Sequence, residues 1–224
     1  MSSSEIFDVL IIGGGYTGAA LAIHLSRMAR RPLSIGVIEP RQQVGCGVAY
    51  SCVHPDHRLN GPATVHIVLP EEPNDFRNWF LSEGLSQNDP GALTENGRIF
   101  ARRADFGRYM VHLFKTYKET NNSGTEIIHI RKRAAEIKAG PEVSTIILGD
   151  GSQLIGRLAA LTVSIERPTI PPPFKKDFGE HPRFIPNPWD LERIGALKPN
   201  TPILPSVIAQ GNKKATSKSK IINK

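Results

Sequence analysis

Gly13-Gly14-Gly15-Tyr16-Thr17-Gly18 has the spacing G-x-G-x-x-G, and an acid, Glu39, stands 21 residues beyond its last glycine. Those residue types in that order have a definite chemical use. A bare glycine turn ahead of a helix lets backbone amides approach a pyrophosphate with no Cβ between them. The helix start adds about half an elementary positive charge in favour of the anion. Gly13 would permit the tight turn, Gly15 the close approach, and Gly18 the packing of helix against strand. A carboxylate at Glu39 would accept hydrogen bonds from an adenosine ribose 2′-hydroxyl, which favours FAD or NAD over NADP at this first site. In the competing reading the glycines only shape a turn and Glu39 is a surface acid. The spacing does not separate FAD from NAD.

The elements that must position these residues are legible around them. Phe7–Ile12 is a short β-branched run that suits a strand buried on both faces of a parallel sheet. Residues 17–30 suit a deeply packed helix, and Leu33–Glu39 suits a second strand stopped by Pro40. Strand, glycine turn, helix and strand make a right-handed βαβ unit. Further on, an ordered loop region is expected over 41–70. Helices are expected over Asn74–Leu81 and Asp105–Tyr117, and a third parallel strand over Glu126–Ile130. Residues 134–139 and 143–148 read as an inserted antiparallel meander with a tight turn at Gly149-Asp150-Gly151, returning through the apolar run 158–165. The expected fold class is therefore α/β, a Rossmann-like domain of parallel strands and helices carrying a small antiparallel meander insertion.

Three later segments carry a resemblance: Gly45-Cys-Gly-Val-Ala-Tyr50, Leu59-Asn-Gly-Pro-Ala63 and Arg103-Ala-Asp-Phe-Gly-Arg-Tyr-Met110. In this order behind the glycine motif, they resemble the signatures G-x-G-V-A-Y, L-N-x-P-A and R-x-x-F-G-x-Y-L of a family of FAD/NAD(P)-binding flavoproteins. That family is similar to FAD-dependent N-hydroxylating monooxygenases acting on aspartate and to FAD-dependent urate hydroxylases. The resemblance spans residues 5–190. It implies an FAD whose pyrophosphate lies over Gly13, Gly14, Gly15, Tyr16, Thr17 and Gly18, with its ribose at Glu39 and Arg41 near the adenine. Gly47 and Tyr50, in one signature, and Asn60, in the next, would approach the flavin half. Read from the residues alone, Asn60 is equally a turn residue before Gly61-Pro62, and Tyr50 a packed aromatic.

The chain also departs from that family. Where the family returns to the flavin through an apolar strand ending Ala-Thr-Gly, this sequence has Leu158–Ile165 running into Glu166–Pro173 with no glycine at the junction, so either a side chain there would crowd the cofactor or the backbone would take another path. An Asn187-Pro-Trp segment matches, but Thr201–Gly211 then leads to a lysine-rich tail rather than to a second glycine motif. The expected organisation is an FAD-binding domain over 1–167, a Pro-rich segment over 168–210 that leads to an absent or incomplete NAD(P)-binding domain, and a disordered basic tail over 211–224. The chain thus reads as truncated, with NAD(P)H the reductant in full-length relatives. An oligomer or a partner would cover the apolar surface left exposed.

Composition narrows the remaining classes. The formal charge is +7, but five of those charges are the tail lysines Lys213, Lys214, Lys218, Lys220 and Lys224. With 7% aromatics besides, no nucleic-acid surface is expected. Cys46 and Cys52 are too few for a disulfide framework and too widely spaced for a redox pair. His54 and His57 lack a third metal ligand at a usable spacing. No G-x-S-x-G elbow supports hydrolysis. Arg131-Lys132-Arg133 reads as a solvated face, and Arg102-Arg103 as the same or as a contact to an anion. The two cysteines suit a reduced, cytoplasmic chain, and with no run long enough for a membrane span a membrane-free protein is expected. No side chain stands out as an acid–base catalyst. The expected function is that of an FAD-binding oxidoreductase, a monooxygenase acting on a small polar metabolite. The alternatives are an inactive dinucleotide-binding fragment and a single-Rossmann NAD-binding protein.

Overall fold

The computed structural model describes residues 6–164, 170, 181–187, 190–198 and 200–202. Residues 1–164 and 165–224 form two compact units. Among the described residues of the second, the helix α6 (Leu191–Gly195) is capped by Asp190, whose Oδ1 accepts the amide of Arg193 at 3.1 Å. The junction 165–169, Pro188 and Trp189 of the Asn187-Pro-Trp segment, residues 203–210 and the basic tail all lie outside the described residues.

The first unit opens with β1 (Ile6–Ile12), α1 (Tyr16–Met28) and β2 (Ser34–Ile38), and β1 and β2 pair in parallel. Then come α2 (Gly47–Tyr50), α3 (Asp75–Ser82), α4 (Leu85–Asn88) and the long α5 (Arg103–Glu119). The chain returns as β3 (Glu126–Ile130), parallel to β2 as expected. β4 (Ala134–Ala139), β5 (Ser144–Leu148) and β6 (Gln153–Leu161) complete one six-stranded sheet in the order β3-β2-β1-β6-β5-β4.

The meander is less of an insertion than its sequence implies. β6 begins at Gln153, well before the apolar run at 158, because Gly156 and Arg157 interrupt the hydrophobic pattern without ending the strand. Its first residues pair antiparallel with β5, and from Ile155 to Leu161 it runs parallel to β1. One strand therefore closes the meander and also supplies the second parallel neighbour of β1.

From Val9 to Ile12 β1 is buried on both faces, as that apolar run requires. Val9 and Ile11 join Ile35, Val37 and Ile127 beneath α1 and α5, while Leu10 and Ile12 gather with Ile38, Ile146 and Leu148 on the opposite face. Leu10 is fully buried and fits where Gly36 and Gly156 lack side chains; a Cβ on either would lie within 3 Å of it. Truncating such a side chain costs about 2–5 kcal/mol. Three apolar side chains behave otherwise. Met28, at the end of α1, is exposed rather than packed, and Leu158 and Leu161 on β6 are more than 60% exposed. Among the described residues, no helix is long and apolar enough to cross a membrane.

Candidate functional site

A cleft of about 670 Å3 opens at the carboxyl ends of β1, β2 and β6. This is the point where the chain leaves β1 for neighbours on either side, the usual ligand position of an open α/β sheet. Its floor is the glycine turn. Gly13, at φ +105°, donates its amide to the Ile38 carbonyl at 3.0 Å. Gly15 is the N-cap of α1, with no side-chain cap and no acid in the first turn. The first-turn amides and the positive helix end are thus left for a ligand, and Gly15, Tyr16 and Thr17 line the cleft.

The other motif glycines act beneath the surface. A Cβ on Gly18 would strike the Gly13 carbonyl oxygen and sit 2.8 Å from Thr162 Oγ1, so its bareness seats α1 on the turn. Gly14 is pressed against Glu39, where an added Cβ would fall 2.6 Å from the Glu39 Cβ. Neither residue lines the cleft.

Glu39, directly after β2, is only 4% exposed. Its Oε2 accepts the Gly14 amide at 2.9 Å, and its Oε1 accepts the Arg41 amide at 3.0 Å. The Arg41 guanidinium stands 3.4 Å from the same Oε1. The carboxylate therefore ties the glycine turn to the β2 exit while still bordering the cleft, with lone pairs to spare for a hydroxyl donor. Arg41 borders the cleft as well.

The opposite wall is the short helix α2. Gly47, at φ +55°, faces Gly15 so closely that a Cβ on it would lie 3.0 Å from the Gly15 Cα. Gly45 and Gly107 let this loop pack on α5: a Cβ on Gly45 would meet the Met110 backbone at 2.9 Å, and one on Gly107 would strike the Tyr50 carbonyl oxygen. Phe106 anchors the assembly, with ring centroids 4.8 Å from Tyr50, 5.8 Å from Tyr16 and 4.9 Å from Phe76. Tyr50 both lines the cleft and packs as an aromatic. Asn60 stands apart. Neither it nor its neighbours from Leu59 to Ala63 line the cleft, and its Oδ1 accepts from Arg103 Nη2 at 2.9 Å. Arg103 and Arg102 are thus both engaged within the fold, the latter as an ion pair with Asp89 at 3.3 Å.

Other residues line the cleft as well. Arg133, exposed as its charge run leads one to expect, borders the cleft together with Ala134. Cys46 lines it from the N-terminal side of α2. Thr162, Val163 and Ser164 close it at the end of β6. Thr162 donates its amide to Ile12 O at 2.9 Å and its hydroxyl to Gly13 O at 2.6 Å. The Thr162 hydroxyl, at the end of β6, thus braces the glycine turn.

Burial raises the pKa of the Tyr16 and Tyr50 phenols and of the Cys46 thiol above their ordinary values, so all three stay protonated at neutral pH. The cleft's volume lies within the range of cofactor sites, its floor offers unpaired amides, and two glycines keep its narrow waist free of Cβ atoms. These features fit a dinucleotide.

The comparisons with known proteins agree. A family described as FAD-NAD(P)-binding matches residues 10–166. No curated protein matches. Among solved structures, the ornithine N-hydroxylase of Kutzneria sp. 744, in a form with reduced FAD, NADP+ and L-ornithine, is 14% identical with a TM-score of 0.53. The alignment covers 75% of this chain and 39% of that one. An oxidized steroid monooxygenase bound to NADP is also 14% identical, with a TM-score of 0.50, covering 75% of this chain and 28% of that one. These likenesses carry the fold, and the chain spans less than half the length of either structure. The chain belongs to the FAD-NAD(P)-binding family, a group of flavoproteins.

Proposed function

We propose that this chain forms the FAD-binding part of an NAD(P)H-dependent oxidoreductase, a monooxygenase acting on a small polar metabolite. The observation that carries this reading is the uncapped start of α1, which faces Gly47 across the cleft with Glu39 at its edge. The first-turn amides of Tyr16 and Thr17 would hold the pyrophosphate, Glu39 the adenosine ribose, and Arg41 and Arg133 the adenine end. Tyr50, Gly47 and Val163 would face the remaining half, and Asn60 would act through Arg103 rather than directly. When bound, the flavin supplies the two-electron chemistry. The protein's part is to bind, orient and exclude water. The reading includes a reducing cytoplasmic setting and a partner surface over Leu158, Leu161 and Val163, which the exposure of these side chains supports.

A second reading is binding without turnover. It is favoured by the protonated state of Tyr16, Tyr50 and Cys46, which leaves no proton acceptor among them. One experiment separates the readings. The purified chain is examined for flavin absorbance and then given NADH without oxygen. Bleaching supports the oxidoreductase. A yellow protein unmoved by NADH supports binding alone, and a colourless protein that retains NAD overturns the flavin assignment.

A further inference from the structure

Beyond the cleft, α2 ends at Tyr50, and the chain makes a short exposed excursion, with Val53 85% exposed, before turning back. The turn closes through the His57 amide, which donates to the His54 carbonyl at 3.1 Å. The His57 carbonyl then accepts the Arg103 amide at 2.7 Å, pinning the returning chain to the start of α5. This closure brings Cys52 Sγ to 3.0 Å from His57 Nδ1, well within hydrogen-bond reach for sulfur. Cys52 is a free, partly exposed thiol at the base of a loop open to solvent. Nucleophile and base at that distance, with the base fixed by its own backbone, are the elements of an activated thiol.

We propose that Cys52 and His57 form an imidazole-assisted nucleophilic thiol that reacts with small soft carbon electrophiles. The proposal stands apart from the cofactor assignment, since neither residue lines the cleft. As the sulfur attacks carbon, the S–C bond forms and the leaving group departs with its electron pair. The thiol proton passes to Nδ1, with the ring's own hydrogen on Nε2. Titratable neighbours acting on the ring include His54, Arg103 and Asp56. Burial, then the neighbouring His54 and Arg103, hold the His57 pKa below its ordinary value, against a smaller opposite pull from Asp56. The ring is therefore neutral at pH 7 and able to take a proton. Cys46 is the internal contrast, a thiol that burial makes harder to ionise.

The test is iodoacetamide labelling of the full chain, followed at each cysteine by peptide mass spectrometry at pH 7 and pH 9. An unassisted thiol of ordinary pKa slows roughly 25-fold between pH 9 and pH 7. Cys52 is expected to slow by less than about threefold, and to label faster than Cys46 at pH 7. His57→Gln is expected to restore the steep fall at Cys52. A wild-type Cys52 that falls like an unassisted thiol overturns the proposal, as does a folded His57→Gln chain with an unchanged rate. Should His57→Gln fail to fold by circular dichroism, the wild-type profile alone decides.

Discussion

The amide of Gly14 and the carboxylate of Glu39 meet at 2.9 Å, joining the turn after β1 to the exit of β2 inside the fold. The acid that sequence spacing reserves for a ribose is thus also a structural tie, and these roles are separable. One oxygen is engaged by Gly14 and the other by Arg41, yet each keeps acceptor capacity toward the cleft.

Glu39→Ala removes the tie and leaves the Gly14 amide buried without its acceptor, at a cost of about 1–3 kcal/mol. The expected outcome is a lower Tm without FAD and a further loss of the Tm gain that FAD confers. Glu39→Gln keeps one acceptor oxygen and should recover part of the first effect but little of the second. Thermal melts with and without added FAD read both, and an unaltered FAD-induced gain in Glu39→Ala would remove the ribose role.

The motif glycines should divide in mutagenesis. A Cβ on Gly15 makes an ordinary 3.4 Å contact with the Gly47 Cα, so Gly15→Ala should fold. A bulkier Gly15→Val projects into the waist of the cleft and should weaken FAD binding at least about tenfold, or ~1.4 kcal/mol. Gly18→Ala drives a methyl into the Gly13 carbonyl, and overpacking of that kind costs roughly 1–3 kcal/mol or more. Circular dichroism and flavin fluorescence titration distinguish the two kinds of failure.

Thr162→Val tests the brace at the end of β6. It replaces a hydroxyl that donates to Gly13 O at 2.6 Å with a methyl of the same shape, leaving that carbonyl short of a donor. A loss of about 1 kcal/mol in urea unfolding is expected. Thr162→Ser should restore it.

Asp89 supplies a pH dependence. Its buried carboxylate takes two bonds at 2.8 Å from Arg58 and faces Arg102 at 3.3 Å. The Arg58 hydrogen bonds, outweighing burial, hold its pKa below the usual carboxylate value of 3.8. A folded-state pKa below the unfolded one stabilises the fold above the unfolded value, and that gain disappears as pH falls through the folded one. Asp89→Asn should therefore flatten the loss of stability below pH 4, and at pH 7 should cost about 3 kcal/mol for the uncompensated arginines. Urea unfolding from pH 3 to pH 7 checks both.

What the sequence alone determined is the local frame: β1, the glycine turn, α1, β2 and the acid behind it. Each rests on a period or spacing within some thirty residues, where backbone preference and side-chain type act together. The aromatic helix α3 and the signature around Phe106 were legible for the same reason, since helix spacing put Phe76 and Phe80 on one buried face. Contacts made across the chain were decided by tertiary structure. Thr162 meets Gly13 from 149 residues away, and Arg133 reaches the cleft from the connection that leaves β3, whose last residue Ile130 pairs with Ile38 at the end of β2. Asn60 is drawn to Arg103 by the packing of its loop on α5, and a turn closed by His54 and His57 sets Cys52 against an imidazole. Such pairings follow from where the sheet places strand ends and how closely bare glycines let segments approach, and no period along the chain encodes either.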